Sequence, residues 1–225
     1  MTSIQKIIDF YQQLADNNNK PWFDAHKAQY QEVKILQEAF AMDCMHRIEA
    51  FDHRVHDLTI KDITYRIYRD VRFSQDKSPY KHWWGVYVCP HGKKSGMAGY
   101  YVHFEPANNQ YFVCGGLYNP TKEVLNSVRE CIMLEPDKFD TAVKTCGQDF
   151  HMNWDAAMKR MPLGYKESDK CSQYYRLRSY EIYKPLTKHD VLKHDFLDKA
   201  IADLQKTYQL TELLNVCYDY AYDKD

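Results

Sequence analysis

The hydrophobic period of this 225-residue chain changes twice. Up to about residue 51, apolar positions recur at three- and four-residue steps, the spacing of an amphipathic helix. Ile4, Ile7, Ile8, Tyr11 and Leu14 form a first such stripe, with Ser3 placed to cap it. Asn17-Asn18-Asn19-Lys20-Pro21 stops that helix, and Trp22, Phe23, His26, Tyr30, Val33, Leu36, Phe40 and Cys44 predict a second one running to about Phe51. From Thr59 the period becomes two. Ile63, Tyr65, Ile67, Arg69, Val71 and Phe73 alternate with Thr64, Arg66, Tyr68, Asp70 and Arg72 as the two faces of a strand. Three more strands are predicted, at Trp83–Val88, Gly99–Phe104 and Tyr111–Leu117, and their short connections imply an antiparallel meander.

After Asn119-Pro120 the helical spacing returns. Thr121 caps a helix carrying Val124, Leu125, Val128 and Ile132, and another starts at Pro136. Gln173–Leu177 reads as a helical turn and Ser179–Tyr183 as an additional strand. Phe196, Leu197, Ile201 and Leu204 open a C-terminal helical region whose last residues, Tyr218 to Asp225, are acidic and expected to fray. Strand runs grouped between helix runs define the α+β class rather than alternating βαβ units. The expectation is a single domain over 1–225. It comprises a helical pair at 1–51, an antiparallel sheet of about five strands centred on 59–117, and helices plus one more strand at 121–225.

Charge is distributed less evenly than the overall balance of −1 suggests. Between Tyr65 and Trp84, five cations (Arg66, Arg69, Arg72, Lys77, Lys81) face two acids, Asp70 and Asp76. Guanidinium groups offer forked donors that fit phosphate or carboxylate. An arginine-bearing strand followed by the Ser74–Lys81 turn is therefore a candidate site for an anionic, phosphorylated small molecule. In that reading Arg72 and Lys81 neutralise charge, Ser74 donates a hydrogen bond, Asp70 orients Arg72, and Arg66, Arg69, Lys77 and Tyr80 complete the surface. The competing reading makes the same charges an ion-pair network in a non-catalytic protein-interaction module. Arg69 falls on the expected core face and so requires a partner there, with Glu105 or an acid of the N-terminal helices as candidates.

Elsewhere, His103 and Glu105 are two apart on a strand and share a face with Tyr101, as an acid/base pair would. Asp70, His103 and Glu105 are accordingly the catalytic candidates. No metal set is read from the sequence, because no H-x-H, H-E-x-x-H or C-x-x-C completes one, and no cofactor motif is present. Gly115-Gly116 lacks phosphate-loop spacing and reads as a bulge or a close backbone approach. Tyr80, Trp83, Trp84 and Tyr87 interleave with Lys77, Lys81 and His82, a pattern that suits single-stranded nucleic acid. Against that, a near-neutral chain lacks the basic footprint of a nucleic-acid binder.

The 19 tyrosines allow either an aromatic-lined polar groove or a sheet rich in cross-strand ring pairs. Seven scattered cysteines, an N-terminal stretch without a secretory apolar region, and no apolar run long enough to span a bilayer predict a reduced, cytoplasmic protein with no membrane partner.

Several stretches resemble a bacterial and fungal domain-of-unknown-function family. They are Asn17-Asn18-Asn19 with Trp22-Phe23, the run from Arg66 to Ser74, Asp76-Lys77 and Pro79-Tyr80-Lys81. Gly99–Pro106 and Gly115-Gly116-Leu117-Tyr118 with Pro120 are similar to further family segments, so the likeness spans roughly residues 17 to 120. The resemblance implies an α+β fold and supplies no reaction. The chain departs from the family pattern by placing His82-Trp83-Trp84 after the motif, where smaller polar residues are common.

Overall fold

Thr2, rather than Ser3, starts the first helix: its hydroxyl accepts from the Gln5 amide at 3.2 Å, and α1 runs Ser3–Asp16. These coordinates are a computed structural model and describe residues 2–223. The three asparagines that follow divide three tasks. Asn17 closes α1 through the Gln13 carbonyl at 3.0 Å, while Asn19 caps α2 (Lys20–Ala25) through the Trp22 amide at 3.0 Å. Asn18 reaches across the fold, as described below. The helix expected from Trp22 to Phe51 is broken once. At His26 the backbone leaves helical geometry, the imidazole bonds back to the Trp22 carbonyl at 2.8 Å and stacks on the Trp22 ring, and α3 (Lys27–Glu49) begins anew.

The strand expected over Thr59–Phe73 does not form. Thr59 and Asp62 make a reciprocal capping box that winds Ile60–Ile63 into a short helix, α4. Beyond it, among the described residues, the segment makes two isolated bridges, Thr64 to Val86 of the sheet and, within the segment itself, Tyr68 to Tyr80. The Arg69 amide bonds to Pro79 and the Lys81 amide to Ile67, so residues 64–83 double back on themselves as a clasp beside the sheet. Of the apolar residues on the expected core face, Ile63 and Ile67 are buried, but Phe73 is 95% exposed.

The sheet is built from β1 (Trp84–Val88), β2 (Gly99–Glu105), β3 (Gln110–Leu117), β4 (His151–Met152) and β5 (Tyr180–Leu186). Every pairing is antiparallel, in the order β1-β2-β3-β5-β4. The five strands and the helical N-terminus match the α+β expectation. β1, β2 and β3 fall inside the expected 59–117 segment and β5 at the additional strand expected near Ser179–Tyr183, while the first expected strand, over Thr59–Phe73, is replaced by the short β4 at His151–Met152.

Register assigns each face. Trp84, Val86, Val88, Tyr100, Val102, Phe104, Tyr111, Val113 and Ile182 point to one side and are buried. Against them pack α1, α3, α8 (Phe196–Lys206) and α9 (Tyr208–Tyr222), with Phe40 of α3 and Phe196 of α8 both meeting the Phe104 ring. Two further helices, α5 (Lys122–Leu134) and α6 (Pro136–Thr145), stack on α9, and α7 (Lys188–Val191) links β5 to α8.

Gly115 is required where the α8–α9 junction meets the sheet. A β-carbon there would fall 2.0 Å from the Thr207 hydroxyl oxygen. Gly115 thus serves helix packing, whereas Gly116, at φ +122°, lets the chain run against the β5 backbone, where a β-carbon would fall 2.1 Å from the Tyr180 carbonyl oxygen. Among the described residues no helix is long and apolar enough to cross a membrane.

Candidate functional site

The opposite face of the sheet carries Tyr87, Tyr101, His103, Glu105, Phe112, Cys114, Glu181 and Tyr183, by the same register. The alternation that places His103, Glu105 and Tyr101 together was readable from the sequence. The strand geometry joins them into a hydrogen-bonded chain. The Tyr101 hydroxyl lies 2.8 Å from His103 Nδ1, and His103 Nε2 lies 3.3 Å from Glu105 Oε2. A carboxylate only accepts, so His103 Nε2 carries the proton and Nδ1 accepts from the tyrosine. Glu105 Oε1 in turn accepts from His82 Nε2 at 2.9 Å and from Asn108 Nδ2 at 2.8 Å.

His82 is the member that sequence reasoning did not place here. It follows the clasp, and its link to Glu105 depends on how residues 64–83 fold against the sheet. Burial holds the His103 pKa below the usual histidine range, although the Glu105 carboxylate pulls the other way. Burial also drives the Tyr101 hydroxyl well above the ordinary tyrosine value. Neutral His103 is thus a proton acceptor inside an oriented chain, the arrangement general acid–base chemistry requires.

Packing fixes these rings. Phe112 stacks on His103 with centroids 4.6 Å apart, and Trp83 flanks it at 5.7 Å. The Tyr101 ring lies across Gly85, where a β-carbon would come within 2.4 Å of its hydroxyl oxygen. Glu181, also missed by the sequence reading, stands further along the same face. Desolvation lifts its pKa from 4.5 to about 7 despite hydrogen bonds from Asn153 and Ser179. A single acid in an alternating Tyr-Glu-Ile-Tyr run gave no signal of this, because the burial comes from neighbouring strands. The two histidine nitrogens address different oxygens of Glu105, and no group of three or more metal-ligating side chains is arranged to hold an ion among the described residues.

The basic motif is mostly occupied with itself. Arg72 grips Asp70 through two bonds, Nε at 2.9 Å and Nη2 at 2.6 Å, on the protein surface. Arg69 pairs with Asp76 and not with Glu105 or an N-terminal acid; it also donates to the Ser78 carbonyl and to the Ser74 hydroxyl. Ser78 and then Arg69 hold the Asp76 carboxyl well below its usual range, and Arg72 does the same for Asp70. Lys77 donates to the Val71 carbonyl at 3.0 Å. Lys81 donates to the Arg66 and Tyr68 carbonyls, and its pKa is lowered first by burial, then by Arg66 and Arg69. The Arg66 guanidinium is exposed and makes no hydrogen bond or ion pair among the described residues.

Tyr80 is only 3% exposed, stacked on Phe23 with centroids 4.1 Å apart, so it belongs to the core and not to a ligand surface. Its backbone is held at both ends by Asn18, which accepts from the Tyr80 amide at 3.1 Å and donates to its carbonyl at 2.9 Å. Trp84 is buried as well. That leaves Trp83, with the Lys81 ammonium 5.5 Å from its ring, as the half-exposed stacking surface beside the motif's cations.

The chain belongs to the conserved hypothetical protein family DUF2461, whose profile matches residues 6–212. Comparison with curated proteins and with solved structures returned no match.

Proposed function

We propose that the chain acts as one α+β domain that binds a small anionic molecule on the outer face of its sheet and exchanges a proton with it through Tyr101, His103 and Glu105. The observation that carries this reading is the hydrogen-bonded chain from Tyr101 through His103 and Glu105 to His82, held rigid by Phe112 and Trp83. Buried polar chains of this kind are costly unless every member is satisfied, and perturbed titratable groups concentrate where chemistry occurs. The anionic class rests on Arg66, whose exposed guanidinium makes no hydrogen bond or ion pair among the described residues, with Lys81 and the half-exposed Trp83 ring adjoining.

A second reading is favoured by the pairing of Arg69 with Asp76 and Arg72 with Asp70: the motif's remaining charges are architectural and shape a surface for a protein partner. Thermal-shift measurements with phosphate, sulfate, nucleotides and sugar phosphates separate the two. A ligand that stabilises the wild type but neither Arg66→Ala nor Tyr101→Phe, both still folded, is the expected result, since stabilisation tracks ligand concentration over affinity. No shift with any of these anions, or an equal shift in all three proteins, overturns the first reading and turns the search to protein partners.

A further inference from the structure

α5 and α9 run side by side, and each contributes a cysteine to the seam between them. Cys131 comes from α5 and Cys217 from α9, and the two thiols interact across it. The seam is fastened beside them by Ser127, whose hydroxyl donates to the Cys217 carbonyl at 2.6 Å. The two sulfurs differ in access. Cys217 is fully buried, whereas Cys131 is half-buried and lines a surface concavity of about 700 Å³ with Glu130, Glu135, Lys138, Val216 and Tyr220.

One accessible thiol beside one sheltered thiol in the same helix seam is the arrangement of an attacking and a resolving cysteine. The electrostatics agree. Interaction with Cys217 draws the Cys131 pKa below the usual thiol range, although burial, Glu130 and Glu135 oppose it. The thiolate is the reactive form, so Cys131 is the sulfur that reacts first. Of the other five, Cys44, Cys89, Cys114 and Cys146 are buried with raised pKa values, and Cys171, half-buried, donates to the Pro136 carbonyl.

We propose that Cys131 and Cys217 form an oxidisable dithiol that closes to a disulfide in response to peroxide. In the first step the Cys131 thiolate attacks one peroxide oxygen. An S–O bond forms, the O–O bond breaks, and hydroxide leaves to take up a proton as water. The sulfenic acid so formed is then attacked by Cys217, which gives up its proton. The S–S bond forms, the S–O bond breaks, and the departing hydroxide takes that proton as a second water. Two thiols supply the two electrons that reduce one hydrogen peroxide to two waters. The pair must still close to the ~2.05 Å of an S–S bond, and the open side of Cys131 leaves room for that movement.

The test uses the full chain treated with hydrogen peroxide, denatured without reductant, alkylated and mapped by mass spectrometry. The expected product is an intramolecular Cys131–Cys217 peptide pair, about 2 Da lighter than the two thiols and restored by dithiothreitol. Cys131→Ser should abolish it, and Cys217→Ala should leave a sulfenic acid that dimedone traps at Cys131. Because Cys217 is a core position, a second measurement needs no variant: iodoacetamide should modify Cys131 of the native protein ahead of Cys171, the other half-buried thiol. Oxidation that links other cysteines, dimedone on a different cysteine, or equal alkylation of Cys131 and Cys171 would each overturn the proposal.

Discussion

His103 and Glu181 share a sheet face and respond to pH in opposite directions. For Glu181 the folded pKa, about 7, lies above the ordinary value of 4.5. The folded state therefore binds the extra proton, and this stabilisation is fully present below about pH 4.5 and lost as pH rises through 7. With one side of the carboxyl open to water, the effect is ~1–3 kcal/mol. Glu181→Gln keeps the neutral shape, and melting curves from pH 4.5 to 8 should be flatter for it than for the wild type. His103, its folded pKa lowered by burial, acts the other way: its contribution is present above the ordinary value of 6.5 and lost as pH falls from there through the lowered folded value. A point change tests the relay itself. Gly85→Ala puts a methyl group where the Tyr101 hydroxyl lies, so the ring must swing off His103. Freed of its tyrosine partner, the imidazole signals of His103 in NMR should shift at constant pH, and the overpacking should lower the melting temperature to the extent of ~1–3 kcal/mol.

At the scale of elements, the clasp of residues 64–83 depends on Asn18 more than on its own charges. Surface ion pairs such as Arg72 with Asp70 contribute little in water. The Asn18 side chain satisfies both backbone groups of a buried tyrosine 62 positions away. Asn18→Ala should cost ~1–3 kcal/mol, and the Tyr80 amide should lose hydrogen-exchange protection before the sheet amides do. This clasp is also where sequence reading went astray. Ile63, Tyr65, Ile67 and Val71 alternate as a strand does, but alternation says nothing about whether a neighbouring strand is within reach. Thr59 and Asp62 took the first residues into a helical turn, and Arg69 found Asp76 within the loop. Strands that do have neighbours, Trp84–Val88, Gly99–Glu105 and Gln110–Leu117, fell within a residue of their expected bounds. Tyr101, His103 and Glu105 were legible because period two alone puts them on one face. His82 and Glu181 were not, since their partners are set by register and by chain crossings.

For the whole molecule, the decisive contacts bridge distant parts of the chain. Asn215 of α9 accepts from the Ala98 amide at 2.8 Å and donates to its carbonyl at 3.1 Å, repeating at the far end of the fold what Asn18 does for Tyr80. Thr207, fully buried at the α8–α9 junction, rests on Gly115. Gly115→Ala should therefore push two helices off the sheet together, costing ~1–3 kcal/mol by overpacking. Chemical denaturation should show the loss as a lower midpoint with an unchanged slope. The strand order carries a further consequence. β3 is paired with β2 on one side but waits for β5, residues 180–186, on the other, and its core face waits for Thr207 and α9. On the ribosome, the first three strands emerge long before either cover exists. A nascent chain arrested between residues 120 and 180 presents an unpaired strand edge and a bare hydrophobic face, the kind of surface that chaperones hold and that neighbouring copies stick to.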